Sequence, residues 1–158
     1  MASYGQLKLL TDFLNIPDVK VTHFIQDPSL GIILSVASLK SEVACPHCGQ
    51  MSHKLHHNYS HLIKDLPMNG QKVYLQVNKR QMKCENCLRT FSEPLDFCEA
   101  KRNYTKRLAD DILSQVKHSN IKSVAEKNGV SESEIETMLK DLKNFSWSKT
   151  SKVKNIGY

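Results

Sequence analysis

The sequence lacks any hydrophobic run long enough to cross a membrane. Its longest apolar stretch, residues 31–37, falls far short of the roughly 20 apolar residues that a spanning helix needs. The chain also lacks an N-terminal apolar segment of the kind that directs secretion, so we expect a cytoplasmic protein with no membrane partner. Structural disulfides are disfavoured in that reducing compartment.

The chain is also too short for a large enzyme core. With 158 residues, 40% of them hydrophobic, it is compatible with one ordinary domain or with two or three small ones. A net charge of +6, from 22 lysines and arginines against 16 acidic residues, favours an anionic partner, although many soluble proteins share a charge of this size. We predict no small-molecule substrate.

Cysteine is scarce, but four of the five cysteines form two Cys-x-x-Cys pairs. Both sulfurs of such a pair can turn toward one metal ion at about 2.3 Å, and two pairs complete a tetrahedron. Disulfides and a redox pair are the alternatives. The fifth cysteine, Cys98, is interpreted as a semi-buried hydrophobic residue or a free thiol. We predict one structural Zn²⁺ per chain with four ligands: Cys45, Cys48, Cys84 and Cys87.

Hydrophobic periodicity predicts an N-terminal helix and a β-hairpin ahead of the first pair. β-like runs at 19–26 and 32–39 flank a turn that contains Pro28 and Gly31. The helix is predicted over 4–15, because apolar residues recur there at spacings of three and four: Leu7, Leu10, Phe13 and Leu14.

A second hairpin is predicted between the cysteine pairs. Strands at 59–66 and 72–83 are joined through Asn69 and Gly70, which both tolerate positive φ. On the outgoing strand, Arg80 points away from a face that starts apolar and then turns polar. That face carries Val73, Leu75 and Val77, followed by Lys79, Gln81 and Lys83.

Five histidines crowd the stretch from His47 to His61. One interpretation is that they occupy solvated positions on a β-sheet. The other is that some of them contact phosphates or bases: His53, His56, His57 or His61.

After Phe91 the apolar spacing becomes helical. Thr105 can cap a helix that runs to about His118, with four residues facing inward: Leu108, Ile112, Leu113 and Val116. The basic segment 101–107 precedes and opens this helix. It fits either a solvated helix start or a phosphate-binding role.

Residues 120–139 fit a helix-turn-helix. Asn120 can cap the first helix, Gly129 can end it in the left-handed conformation, and Ser131 with Glu134 forms a capping box for the second. The small residue at the crossing is Ala125, and the apolar residue that points back from the second helix is Ile135. An ordinary helical hairpin is the alternative.

The outward face of the second helix argues against simple DNA reading. Its carboxylates, Glu132 and Glu136, would be repelled by phosphates. This helix therefore either reads DNA weakly, through Ser133 and Thr137, or packs on protein.

The predicted fold class is α+β, a small β-rich zinc ribbon followed by an all-α helix-turn-helix domain. We predict four parts: an N-terminal helix and hairpin at 1–40, a four-cysteine zinc ribbon at 41–98, a helical domain at 99–144, and a basic linker or tail at 145–158.

Taken in this order, the motifs resemble the N-terminal part of a bacterial insertion-sequence transposase of the ISL-three family. The resemblance implies a DNA-binding protein that recognises terminal inverted repeats, with double-stranded DNA as its partner, a homodimer as an option and a location with the bacterial nucleoid. The residues that carry it lie at 45–49, 65–67, 80–87, 90–93 and 102–108, followed by the helix-turn-helix.

The resemblance also bears on catalysis. The family's RNase H-like domain, with three catalytic carboxylates, is expected after a segment like 153–158, where this chain stops. Two-metal phosphoryl transfer needs those carboxylates, so we expect a non-catalytic protein and not an intact nuclease. The rival function is an interaction module that binds a protein partner or self-associates. The predicted DNA contacts are Lys79, Arg80, Lys83, Arg89, Arg102, Tyr104, Lys106, Arg107, Ser133 and Thr137.

Overall fold

The structure is a computed structural model that describes residues 2–156, with side chains for residues 2–144. It contains two compact units, Met1–Lys106 and Arg107–Tyr158. No helix among the described residues is long and apolar enough to span a membrane. The elements are α1 (Tyr4–Leu14), β1 (Val19–Asp27), β2 (Gly31–Ser38), β3 (Val43–Ala44), β4 (Met51–Ser52), β5 (Lys54–Met68), β6 (Gln71–Lys83), β7 (Thr90–Ser92), α2 (Lys106–Val116), α3 (Ile121–Asn128) and α4 (Glu132–Ile156), so the predicted α+β class is confirmed.

The first helix, α1, forms as predicted, with one correction to its apolar face. A capping box of Ser3 and Gln6 opens it, and Asn15, at φ 53°, ends it. Leu14 is buried in the core of the first unit. Phe13, predicted on the same stripe, is instead 70% exposed, because it lies about 100° round the helix from Leu14.

The first unit is built on a five-stranded sheet whose main order is β1-β2-β6-β5, with β7 also paired to β6. β5 runs antiparallel along one edge of β6 for most of its length, so β2 and β7 share the other edge. β2 pairs parallel with 73–77, and β7 pairs antiparallel with 81–83. The N-terminal hairpin therefore extends the sheet of the second hairpin and does not stand apart from it, which differs from the division at residue 40.

Both predicted hairpins are present. The turn between β5 and β6 uses Asn69 and Gly70 at φ 50° and 76°, as the sequence indicates. β5 starts at Lys54, earlier than predicted, and a bulge lies between Leu55 and His57.

The buried side of the sheet changes along β6. Val73, Leu75 and Val77 face the main core, as predicted. Met82 points to the opposite side and is buried in a second, smaller core with Phe91. Lys79 lies on the same side of β6 as Val77 but beyond the end of the main core, so it is only partly covered.

The second unit consists of α2, α3 and α4. Two of the four residues predicted to face inward on α2, Leu108 and Ile112, are buried, and the other two are half-buried. α4 continues to Ile156, which differs from the linker expected from residue 145. No proline or glycine occurs between Glu132 and Ile156, so no residue of that kind ends the helix near residue 145. The last two residues of the expected tail, 157 and 158, lie outside the described residues.

Candidate metal centre and nucleic-acid interface

The four predicted ligands converge on one point. Their Sγ atoms all lie within 4.8 Å of one another, and they form the one cluster of potential ligands found among the described residues. The Sγ atoms of Cys45 and Cys87 are 3.7 Å apart, and those of Cys48 and Cys84 are 3.5 Å apart. Sulfurs at 2.3 Å from a tetrahedral zinc ion are about 3.8 Å apart, so the donor set fits Zn²⁺ with little movement.

Each pair sits in a knuckle of the same backbone design. In the first knuckle the Gly49 N–H donates to the Cys45 carbonyl at 2.8 Å, and in the second the Leu88 N–H donates to the Cys84 carbonyl at 2.9 Å. Gly49 and Leu88 both have positive φ, 79° and 65°. The bend behind the first pair is therefore repeated behind the second, with a leucine in place of glycine.

Two polar side chains that the sequence analysis did not single out join the knuckles. The buried Ser52 hydroxyl donates to the Lys83 carbonyl at 2.6 Å. The Asn86 amide donates to the Cys48 sulfur at 3.6 Å. Neither contact has a signature in the cysteine spacing, because each depends on how one knuckle packs against the other.

Without a metal ion, the thiols of this cluster differ in how readily they lose their protons. The backbone N–H of Gln50 and then the Asn86 side chain lower the pKa of Cys48 to about 6. For Cys87 the Arg89 N–H has a lowering effect, but burial and the neighbouring cysteines outweigh it and raise the pKa to about 11. A divalent cation removes this difference, because it lets all four sulfurs bind as thiolates.

Cys98 lies outside the cluster, as predicted. It is buried in the main core, and its thiol donates to the carbonyl oxygens of Tyr104 and Arg102 at 3.3 and 3.4 Å. Burial raises its pKa, so it is a structural thiol and not a reactive one.

The second unit has the predicted helix-turn-helix geometry. The Asn120 side chain accepts from the Ser123 N–H at 2.8 Å, and Gly129 ends α3 at φ 67°. The Glu134 N–H donates to the Ser131 hydroxyl at 3.0 Å, which starts α4. Ala125 and Ile135 are both buried, as the crossing of α3 and α4 requires.

Helix α2 is tied to α3 by a contact that the sequence did not reveal. The side-chain amides of Gln115 and Asn128 donate to each other at 3.3 and 2.9 Å. Asn128 also donates to the Val124 carbonyl at 2.8 Å, so the amide holds the last turn of α3 as well.

Two of the predicted DNA contacts are placed where they do not suit that role. Tyr104 is 5% exposed and belongs to the interior, next to β5. Arg80 holds Glu93 through two hydrogen bonds of 2.6 and 2.7 Å and donates to the Lys40 carbonyl at 2.9 Å. These positions correct their assignment as surface contacts, because spacing alone does not distinguish a buried ring or a paired guanidinium from an available one.

The other predicted contacts are at least partly accessible. Arg89, Lys106 and Ser133 are exposed, although Lys106 also pairs with Glu99 at 3.6 Å. The Thr137 hydroxyl donates to the Ser133 carbonyl at 3.0 Å. The remaining residues are half-buried: Lys79, Lys83, Arg102 and Arg107.

The four histidines named as candidate phosphate or base contacts are all exposed: His53, His56, His57 and His61. His57 and His61 flank Tyr59 on β5. The ring centroid of Tyr59 is 6.2 Å from that of His57 and 5.9 Å from that of His61.

Comparison with known proteins finds family matches for the zinc-binding region and for the helix-turn-helix region. Residues 41–87 match the family described as the zinc-finger of transposase IS204/IS1001/IS1096/IS1165. Residues 93–142 match the helix-turn-helix domain of transposase family ISL3. The chain belongs to the ISL3 transposase family over these two regions. The predicted resemblance is thereby confirmed.

A curated relative of this ISL3 chain is the transposase for insertion sequence element IS1001 of Bordetella parapertussis. The two are 26% identical over 100 residues, which cover 63% of this chain and 25% of the relative. The chain therefore matches about a quarter of that relative's length. No solved structure matches the chain.

The matched zinc-finger region of this ISL3 chain contains all four ligands, and their sulfurs leave no position for water or substrate. The zinc ion is therefore structural.

Proposed function

We propose that the chain is a zinc-containing DNA-binding protein that recognises the terminal inverted repeats of an insertion sequence. The observation that carries this proposal is the helix-turn-helix at 120–139, whose caps and crossing residues have the geometry that presents a second helix to a DNA groove. The basic segment 101–107 supplies charges for the phosphate backbone. Such a role places the protein with the bacterial nucleoid.

In this proposal the described regions bind DNA and do not cut it. Zinc holds the two knuckles together, and phosphate contacts come from basic side chains of both units: Lys79, Lys83, Arg89, Arg102, Lys106 and Arg107. Ser133 and Thr137 are the candidates for base contacts from α4.

A mobility-shift assay tests the proposal. The zinc-loaded chain is mixed with a duplex that carries the inverted repeat of its own insertion sequence, and with a shuffled duplex of the same composition. We expect at least about tenfold tighter binding to the repeat, a conservative value for specific DNA recognition. Equal binding to both duplexes would contradict repeat recognition, and binding to neither would contradict the DNA-binding function.

A second function, a protein-interaction module, is favoured by one observation. Glu132 and Glu136 are both exposed on α4, the helix that would face DNA. Carboxylates there suit a protein surface, such as a second copy of this chain, better than a phosphate backbone.

A further inference from the structure

The half of the β5–β6 hairpin that lies farther from its turn presents histidine and tyrosine rings together with lysines on one face of the sheet. Tyr59 lies directly opposite Lys79, and His57 lies opposite Gln81. Residues that oppose each other across two strands project from the same side of the sheet. This side continues the face of the main core into solvent, because Val77 lies opposite His61 and is buried.

The rings form a continuous row. His57 and Tyr59 are stacked with an angle of 30° between their planes, and Tyr59 and His61 meet at 86°. All three side chains are exposed, and Tyr59 has 44% of its surface open to solvent. Charged side chains alone would protect an edge strand such as β5 from pairing with another chain. Three successive open rings are not needed for that protection.

The charges on this face are of one sign. Lys54 lies directly opposite Lys83, and like charges in that position destabilise a strand pair. Seven positions of β5 and β6 share this face, and they carry only lysine, histidine, tyrosine or glutamine. They are Lys54, His57, Tyr59, His61, Lys79, Gln81 and Lys83. No carboxylate lies among them. A bound polyanion would relieve the repulsion between the two lysines.

The same side continues toward the basic segment. Val77 and Cys98 belong to the same core, and Phe97 packs against that core. The Lys106 N–H donates to the Phe97 carbonyl at 2.9 Å. The acidic group nearby, Glu99, pairs with Lys106 at 3.6 Å. From Lys54 to His61, β5 extends for about 24 Å at about 3.4 Å per residue, which is enough for several nucleotides.

We propose that this face of β5 and β6 binds single-stranded DNA, with unpaired bases stacked on the row His57, Tyr59 and His61 and phosphates held by Lys54, Lys79 and Lys83. Stacking on exposed rings requires bases that are not already stacked in a duplex. The face thus adds a binding mode for unpaired bases to the first unit, in which Lys79 and Lys83 hold the phosphates of a single strand as well as those of a duplex. The inference rests on the proposed DNA-binding function and adds an unpaired strand as a substrate class.

Fluorescence anisotropy of the zinc-loaded full chain tests this inference. The two probes are a labelled oligo-dT of about 15 nucleotides, which is within the site sizes of single-strand binders, and a labelled duplex of the same length. We expect Tyr59→Ala to weaken oligo-dT binding about fivefold or more and duplex binding less than about twofold. Tyr59→Phe keeps the stacking ring and should bind oligo-dT within about twofold of the parent. Tyr4→Ala is the matched control, because Tyr4 is 83% exposed on α1.

Each outcome separates this inference from the proposed function. If the parent binds the duplex but not oligo-dT, or if Tyr59→Ala binds oligo-dT as tightly as the parent, the surface assigned here is wrong and the DNA-binding function stands. An equal loss on both probes would mean that Tyr59 serves duplex binding, which also overturns the inference. A parent that binds neither probe contradicts the proposed function itself. Melting temperatures of all variants establish that the compared proteins are folded.

Discussion

Leu88 occupies in the second knuckle the place that Gly49 occupies in the first. Its φ of 65° is a conformation that costs a residue with a Cβ about 1–2 kcal/mol. Leu88 is 70% exposed, so its side chain adds little packing. We predict that Leu88→Gly raises the free energy of unfolding by about 0.5 to 1 kcal/mol, since relief of strain exceeds the added freedom of the unfolded chain. Urea denaturation of the zinc-loaded protein measures it.

The reciprocal change is the control for this prediction. Gly49→Ala places a Cβ at φ 79° and should lower the free energy of unfolding by about 1 kcal/mol, although no atom lies close enough to collide with it. A lower stability for Leu88→Gly would show that Leu88 makes a contribution that its exposure does not reveal.

Arg80 ties β6 to the segment that follows β7. Its side chain is 23% exposed and that of Glu93 only 5%, so loss of the arginine leaves a nearly buried charge without its partner. We predict that Arg80→Ala lowers the free energy of unfolding by about 2 to 3 kcal/mol, somewhat less than for a fully buried pair. Urea denaturation at constant zinc is the measurement.

Lys79→Ala is the matched comparison, because Lys79 precedes Arg80 on the same strand and has none of the ion pairs found among the described residues. Its free energy of unfolding should stay within about 0.5 kcal/mol of the parent. Equal stabilities for the two variants would mean that the Arg80–Glu93 pair contributes nothing to the fold.

The acidic face of α4 distinguishes the two candidate functions at the scale of one helix. If Glu132 and Glu136 faced a DNA groove, their double replacement by Gln would remove repulsion and tighten non-specific binding. On α4 the two carboxylates lie about 100° round the helix from the proposed base contacts Ser133 and Thr137. We therefore predict that the double variant keeps the parent's DNA affinity and changes its self-association. Sedimentation at several concentrations, combined with a binding titration, measures both. A concentration-independent monomer for both proteins, with altered DNA binding by the variant, would contradict this assignment.

Local elements can be predicted because their determinants are local. The Asn69-Gly70 turn, the Asn120 cap and the Ser131–Glu134 capping box all depend on neighbouring residues, and each is present in the structure. The predicted end of α4 is too early, because a polar, basic composition suggests a linker even where no helix-ending residue is present. The prediction that Phe13 belongs to the buried stripe of α1 is wrong, because spacings of three and four do not by themselves separate its angular position from that of Leu14.

Pairings between distant parts of the chain cannot be deduced from the sequence. The parallel pairing of β2 with β6 joins residues that are far apart in the sequence, and no residue pattern in either strand identifies the strand that lies beside it. The zinc ligands are an exception among long-range contacts, since the chemistry of four thiolates specifies their meeting point. The burial of Tyr104 depends on the course of the segment beside β5, which residue spacing does not encode.

Across the whole molecule, zinc should be required for the fold of the ribbon. Structural zinc supplies about 10 kcal/mol or more of apparent binding energy in small zinc-finger peptides, and the small core of Val43, Met82 and Phe91 packs directly around two of the ligands. We predict one zinc ion per chain by metal analysis, and loss of the ribbon's thermal transition after chelation or in Cys45→Ser. Full thermal stability without zinc, or two ions per chain, would refute a single structural site.

If this chain binds DNA through the basic segment 101–107, duplex binding must depend on salt and on the arginines of that segment. The zinc-loaded parent is compared with the charge-reversal variant Arg102→Glu/Arg107→Glu by fluorescence anisotropy at several salt concentrations. We predict weaker binding of the variant to every duplex. In a plot of log affinity against log salt, its slope should be smaller by about 0.9 for each phosphate that the variant no longer neutralises. Equal affinity and equal slope for the two proteins at moderate salt would contradict it.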